Sequence, residues 1–305
     1  MRGHLGPVSR TRQLIAALRD AVAGRDPLPR AVAIPPVPAP PARVYTPRPA
    51  PSAFAAQAAR HTTALVGIGH VGTRYATDVV LQFQAELAVA HAAVSAELPA
   101  GWGEQHGFIE VASRVTSHRE FLLRPDLGRR LDDDSLAVLR SRSSKDVDVQ
   151  VIVADGLSAI ACVQTGKHLA DLVAHACAAR GLSVGTPVAA RFARVWLEDE
   201  IGQETRAKVA MILLGERPGL GTGDGLSAYV VYEPRVGKTD GDRNMISNIH
   251  ARGIPPEEAA ERLGALAAAM IAQRCSGVPL DLARLGASER GYRAPQVRQR
   301  LVTTP

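Results

Sequence analysis

A continuous apolar run, Val-Ala-Met-Ile-Leu-Leu at residues 209–214, breaks abruptly into a glycine-rich segment at residues 215–225. An apolar run of this length, rich in branched side chains, is typical of a strand that is buried on both faces of a parallel sheet. Ligands of such sheets bind outside the carboxyl ends of the strands, which is where this segment lies. Its glycines let backbone amides approach a bulky ligand, and Glu216 and Arg217 add an acid and a base.

From Asp148 onward, apolar strand patterns alternate with amphipathic helix patterns, which indicates an α/β fold with a Rossmann-like, mostly parallel sheet. Residues 148–282 are the predicted Rossmann-like domain. Its predicted strands cover 149–154, 190–197, 208–214 and 228–232, and its predicted helices cover 167–180, 199–206 and 255–274.

Residues 61–147 are predicted to form a small, mainly helical domain before the sheet. The pattern favours helices over 77–98 and 127–139. Residues 108–111 and 120–123 are interpreted as a small strand pair around a turn at 117–118.

Both ends of the chain are basic. Residues 1–60 hold nine arginines against two acids, so this segment alone carries a charge of +7. The net charge of the whole chain is +6, so residues 61–305 sum to −1. A short helix over 10–24 precedes a segment at 27–52 with ten prolines, which predicts a disordered N-terminal tail. Residues 283–305 form a second loose, basic tail. Because the excess charge is in a tail and aromatic residues are only 4%, nucleic-acid binding is not expected.

The three cysteines, Cys162, Cys177 and Cys275, are scattered and form no Cys-x-x-Cys pair. This spacing argues against a disulfide framework and a zinc site, and it fits a reducing cytoplasm. No apolar run approaches membrane-spanning length, so no membrane association is expected.

Three further motifs each have two interpretations. Gly67–Gly72 formally matches the dinucleotide fingerprint, so a nicotinamide-dependent enzyme is one alternative, but a glycine-rich turn that enters a helix is the preferred interpretation. Asp155-Gly156-Leu157-Ser158 is interpreted as a turn, with recognition of ligand amides as the alternative. Ser247, Asn248 and His250 are interpreted as a hydrogen-bonded lock rather than as a general-base site, because no nucleophile with a positioned partner is evident. No catalytic or metal-ligating residue is therefore assigned.

Five segments resemble the small (light) subunit of ethanolamine ammonia-lyase, an adenosylcobalamin-dependent enzyme. They occur in the order of that family and at about its spacing. The resemblance covers roughly residues 62–280. The segments that carry it are Leu-Arg-Pro-Asp-Leu-Gly-Arg-Arg-Leu (123–131), Val-Ile-Val-Ala-Asp-Gly-Leu-Ser (151–158), Gly-Leu-Ser-Val-Gly-Thr-Pro (181–187), Gly-Glu-Arg-Pro-Gly-Leu-Gly (215–221) and Ile-Ser-Asn-Ile-His (246–250).

The resemblance implies three cofactor-binding positions. Val195 follows the Arg-x-x-Arg of residues 191–194, Glu216 is the acid of Gly-Glu-Arg-Pro, and Met245 precedes Ile-Ser-Asn-Ile-His. Some members have cysteine at the position of Met245, and methionine is larger and has no thiol proton. His70 replaces the first arginine of the family's Gly-Arg-Ala-Gly-x-Arg turn, whereas Arg74 keeps the second.

The resemblance also implies a function and partners. The small subunit would bind adenosylcobalamin at its interface with the large subunit, for radical conversion of ethanolamine to acetaldehyde and ammonia. Six such heterodimers would assemble in the cytoplasm, within a bacterial microcompartment if the N-terminal tail is an address. A non-enzymatic adaptor that docks through residues 10–24 is the remaining alternative.

Overall fold

The computed structural model describes Ala16 and residues 53–58, 60, 66–220, 223–251 and 253–284. Its core is one six-stranded sheet with the strand order β1-β3-β2-β4-β5-β6. The first four strands in this order are parallel, and β5 and β6 are antiparallel additions at one edge. The strands are β1 Ile109–Ala112, β2 Val149–Ala154, β3 Val188–Arg191, β4 Val209–Gly215, β5 Leu226–Tyr232 and β6 Arg243–Ile249. The predicted α/β class with a mostly parallel sheet is confirmed.

Helices cover both faces of the sheet. They are α1 Ala53–Ala58, α2 Thr77–Ser95, α3 Trp102–Gln105, α4 His118–Leu123, α5 Asp133–Arg142, α6 Ala159–Ala161, α7 Lys167–Ala178, α8 Leu197–Thr205 and α9 Pro256–Gln273. A π-helical turn at Cys162–Gly166 joins α6 to α7. Side chains from α7 and α9 pack against one face, and side chains from α5 and α8 pack against the other. Every residue of β2 is buried, because alternate side chains of the strand enter opposite layers of the core.

The predicted strand pair in residues 108–123 is wrong. Ile109–Ala112 is a strand, but it pairs in parallel with β3 of the main sheet. The second half of the predicted pair is helix α4. The Ser117 side chain accepts the Glu120 N–H at 3.3 Å, and Glu120 Oε2 accepts the Thr116 N–H at 2.7 Å. These two contacts cap a helix start and do not form a hairpin turn.

Two further strand predictions need correction. β3 ends at Arg191 and not at Leu197, because Phe192 adopts φ +52° and takes the chain out of the sheet. β6 was not predicted, and residues 246–250 were interpreted as a loop. The strand is only partly buried, so its alternation of apolar and polar side chains is weak.

Other predictions lie outside the described residues. They include the helix over 10–24, apart from Ala16, the spacer over 27–52 and all but the first two residues of 283–305. All three cysteines are described, and none of them is paired with another cysteine. Within the described ranges, no helix combines the length and the apolar character needed to cross a membrane.

Candidate functional site

The three predicted binding residues line one concavity at the carboxyl end of β4. This concavity, of about 400 Å³, is named the Glu216 concavity. Its lining residues are Gly156, Leu157, Ala193, Arg194, Val195, Leu214, Gly215, Glu216, Arg217, Ser227, Tyr229, Met245 and Ser247. Sheet topology therefore brings together Val195 and Met245, which are 50 positions apart in the sequence.

A second concavity, of about 490 Å³, adjoins the first and is named the Trp196 concavity. The two share Arg194, Val195, Tyr229 and Met245. The rest of its lining consists of Pro125, Arg129, Trp196, Asp240, Arg243 and Asn244. The two adjoining concavities are together called the groove.

Glu216 is held at the end of β4 by one of its two carboxylate oxygens. Its Oε1 accepts the Ser227 hydroxyl at 2.5 Å and the Asn248 backbone N–H at 2.8 Å, which ties β4 to β5 and β6. No described residue donates to its Oε2. The half-buried carboxylate therefore has a fixed direction and keeps an acceptor for a ligand.

Val195 lies in the loop between β3 and α8. The loop is fixed because Asp155 accepts the backbone N–H groups of Phe192 and Ala193, at 2.8 and 3.1 Å. The Arg194 N–H also donates to the Gly128 carbonyl at 2.8 Å. These backbone contacts present Val195 to the groove, and its own side chain offers only apolar surface.

Met245 also contributes apolar surface to the groove. It is half-exposed, at 50%, although it belongs to a strand of the sheet. Its cross-strand partner is Tyr229 on β5, which lines both concavities beside it. Burial raises the pKa of the Tyr229 hydroxyl, and the nearby Glu216 carboxylate adds to this shift. The phenol is therefore neutral and can donate a hydrogen bond.

The Asp155-Gly156 motif is a turn, as expected, but its carboxylate also has a role in the fold. Asp155 is 4% exposed, and burial raises its pKa to about 6. Gly156 has φ +54°, and a Cβ there would lie 2.4 Å from the Gly215 carbonyl oxygen. The turn after β2 thus presses against the end of β4. Asp155 is turned toward the protein and supports the β3 loop, which does not fit the alternative of ligand recognition.

Asn248 and His250 form two parts of the predicted lock, whereas Ser247, its third member, lines the Glu216 concavity. His250 is 2% exposed, and its Nε2 lies 2.7 Å from Asn248 Oδ1. Asn248 has φ +62°, and its carbonyl accepts the Ile254 N–H at 2.8 Å. The histidine is consequently enclosed at the end of β6, and its geometry fits a structural role.

The glycine turn at 67–72 does not have the setting of a dinucleotide site. The first strand of the sheet begins at Ile109, so within the described residues no sheet strand leads into the turn. Gly67, Gly69 and Gly72 all have positive φ, and the chain enters α2 five residues after the last of them. His70 stacks on Tyr75, with ring centroids 4.8 Å apart. These features favour the turn that precedes a helix.

Two arginines of the groove were not singled out from the sequence. Arg129 stacks on Trp196, with its Cζ 3.6 Å from the ring centroid, and Arg194 stacks on Phe121 at 4.0 Å. Both lie in segments that carry the family resemblance, residues 123–131 and 191–195, which was the available signal. Their spatial proximity depends on the loop after β3 and was not visible in the sequence.

The protein-family comparison agrees with the segments that suggested a relationship. The model of the family described as ethanolamine ammonia-lyase light chain (EutC) matches residues 53–281. The match spans most of the chain, including all six strands and every residue that lines the two concavities. The chain therefore belongs to the ethanolamine ammonia-lyase light chain family.

Proposed function

We propose that this chain binds adenosylcobalamin at its interface with the large subunit of an ethanolamine ammonia-lyase, which converts ethanolamine to acetaldehyde and ammonia. The observation that carries the proposal is the convergence of Val195, Glu216 and Met245 on one concavity. These residues come from three separate loops and strands. Their meeting was not required by the fold class.

The side chains of the groove suit a corrinoid. Val195 and Met245 offer apolar surface for the ring system, and Glu216 Oε2 offers an acceptor for a peripheral amide of the cofactor. Ser247 and Tyr229 add hydroxyl groups in the same walls. When bound, the cofactor supplies the radical chemistry, whereas this chain binds and orients it and helps to exclude water.

An open groove is also what a shared site requires. The half-exposed Met245 leaves the ring contact incomplete, which is consistent with a second polypeptide that closes the other side. In this proposal the large subunit provides the substrate site, and the two subunits assemble as six heterodimers. The complex works in the cytoplasm, and a microcompartment address would reside in residues 1–60.

The decisive experiment uses the chain purified together with its large subunit. Glu216→Gln keeps a carbonyl oxygen for Ser227 and Asn248 but replaces the free acceptor by an amide donor. We expect cofactor affinity to fall by about 1–3 kcal/mol, because a cofactor amide is left unpaired. Equilibrium dialysis with detection of cobalamin absorption measures this change, and ammonia release from ethanolamine measures activity.

The matched control is Glu233→Gln, an exposed carboxylate at the opposite end of β5. It should leave both affinity and ammonia release unchanged. Unaltered cofactor affinity in Glu216→Gln would remove this residue from the site. A purified complex that neither takes up cobalamin nor releases ammonia would refute the proposed function itself.

A further inference from the structure

Three arginines along the groove have no acidic partner among the described residues. Arg194 lines both concavities, Arg129 lines the Trp196 concavity and Arg217 lines the Glu216 concavity. Other arginines nearby do form ion pairs. Arg130, next to Arg129 in the chain, pairs with Glu200 at 3.3 Å. These three cations of the groove are therefore not compensated by the described part of the chain.

Two of these arginines are held rigidly. The Arg129 guanidinium stacks on Trp196 and makes no side-chain hydrogen bond to a described residue. Arg194 stacks on Phe121, and its Nη2 donates to the Phe121 carbonyl at 2.7 Å. The Nε of each is buried without a hydrogen-bond acceptor among the described residues. Stacking fixes the plane of each guanidinium and leaves its remaining N–H groups for an external acceptor.

The positive charges of this cluster act on one another. Burial lowers the pKa of Arg194, and the neighbouring charges of Arg129 and Arg217 lower it further. Arg243, in the same groove, differs because it forms an ion pair with Asp199 at 2.8 Å. The cluster is thus a local excess of positive charge that an anion would relieve.

The nearby acids are already engaged or lie apart. The Asp155 carboxylate accepts two backbone amides, and Glu216 Oε1 binds Ser227 and Asn248. Asp240 lines the Trp196 concavity, but among the described residues it pairs with none of the three arginines. An anion that compensates the cluster would therefore come from outside the described part of the chain.

We infer that Arg129, Arg194 and Arg217 form an anion subsite that binds the phosphodiester of the cobalamin nucleotide tail. Planar guanidinium groups present paired N–H donors whose spacing matches two phosphate oxygens. The inference rests on the proposed function. The apolar residues Val195 and Met245 then face the ring.

The test compares two ligands in the complex with the large subunit. Adenosylcobalamin carries the phosphodiester, and adenosylcobinamide lacks the phosphodiester, the ribose and the base. We expect Arg129→Gln and Arg217→Gln each to weaken adenosylcobalamin binding by about tenfold or more. Adenosylcobinamide binding should stay unchanged. Arg235→Gln, an exposed arginine at the far end of β5, should change neither affinity.

A third ligand separates the phosphate from the base. Adenosylcobinamide phosphate has a phosphate but no base, and its affinity should fall in the same variants. Arg217 is the most informative position, because its side chain is exposed and its loss should not disturb folding. Thermal unfolding of each variant checks this point.

Other outcomes overturn the inference. An equal loss for adenosylcobalamin and adenosylcobinamide would show that the arginines do not recognise the nucleotide tail. Weaker association of the subunits, with unchanged binding of both ligands, would identify an acidic group of the large subunit as the counterion. If the wild-type complex binds neither ligand, the proposed function has failed, and that result is distinct from a selective failure of the arginine subsite.

Discussion

The Asp155 carboxylate accepts the backbone N–H of Phe192 at 2.8 Å, across 37 positions of sequence. This contact joins the turn after β2 to the loop after β3, at the point where Phe192 leaves the sheet with φ +52°. Arg194 and Val195 follow within three residues. The location of two groove residues therefore depends on an acid that does not itself line the groove.

Asp155 should make stability depend on pH. Its folded-state pKa is about 6 against an ordinary 3.8, so folding favours the protonated form. The stabilisation is fully present below pH 3.8 and is lost as pH rises through 6, which amounts to roughly 3 kcal/mol. The unfolding free energy of the wild type relative to Asp155→Asn, whose amide does not titrate, should fall over this window. Urea unfolding at several pH values measures it, with exposed Asp134→Asn as the control.

The same substitution should affect the site. Asparagine offers one acceptor to two backbone N–H groups, so the β3 loop should loosen and cofactor affinity should drop along with stability. A pH-independent difference between wild type and Asp155→Asn would contradict the assignment of a raised pKa to this group.

The buried ion cluster behind β6 gives a second prediction. Arg243 donates to Glu198 at 2.7 Å and to Asp199 at 2.8 and 2.9 Å, and all three residues are buried. Burial raises the pKa of Glu198 to about 8, so this acid is mainly protonated at pH 7. Arg243→Met should therefore cost about 3–5 kcal/mol, because it leaves buried acids without a cation. Glu198→Gln should cost less than about 1 kcal/mol.

Chemical denaturation at pH 7 measures the unfolding free energies of Arg243→Met and Glu198→Gln. Glutamine keeps the carbonyl oxygen that accepts from Arg243, so it mimics the neutral acid. If Glu198→Gln proves as destabilising as Arg243→Met, Glu198 is ionised in the folded protein and the raised pKa assigned to it is wrong.

Gly215 gives a third prediction, since a Cβ there would lie 2.3 Å from the carbonyl oxygens of Asp155 and Ser158. Both obstacles are backbone, so neither can rotate away. Gly215→Ala should cost about 3 kcal/mol or more and should also displace Glu216. Gly241→Ala is the matched control, because its nearest neighbour would be the Thr239 hydroxyl at 3.7 Å, an ordinary contact. Thermal unfolding measures both variants, and an equal change in Tm for Gly215→Ala and Gly241→Ala would disprove the close packing at Gly215.

The elements that were predicted well are those whose local sequence pattern matches their burial in the folded protein. Val149–Ala154 is entirely apolar or buried, and the turn after α7 has Gly181 at φ +73°, as its sequence indicated. β6 escaped prediction because it is an antiparallel addition with an inward arginine, Arg243, whose guanidinium is held by Glu198 and Asp199 of α8. No local pattern reveals such a distant partner.

The residues of the candidate site also differ in how far the local sequence predicted them. The glycine-rich segment identified Glu216 from local sequence, whereas Val195 and Met245 were suggested only by family resemblance. The cluster of Arg129 with Arg194 arises because the segment after α4 meets the loop after β3. That meeting depends on the hydrogen bond from the Arg194 N–H to the Gly128 carbonyl, which joins residues 66 positions apart.

The support that Asp155 gives to the β3 loop has a practical consequence for mutational surveys of this chain. Under the proposed function, a screen that scores only retention of cobalamin will recover changes at position 155 together with those at the proposed ligand contacts. A measurement of folding distinguishes the two classes of variant. Variants of the contact residues will release the cofactor while the subunit stays intact, whereas variants of Asp155 will first lose the shape of the groove.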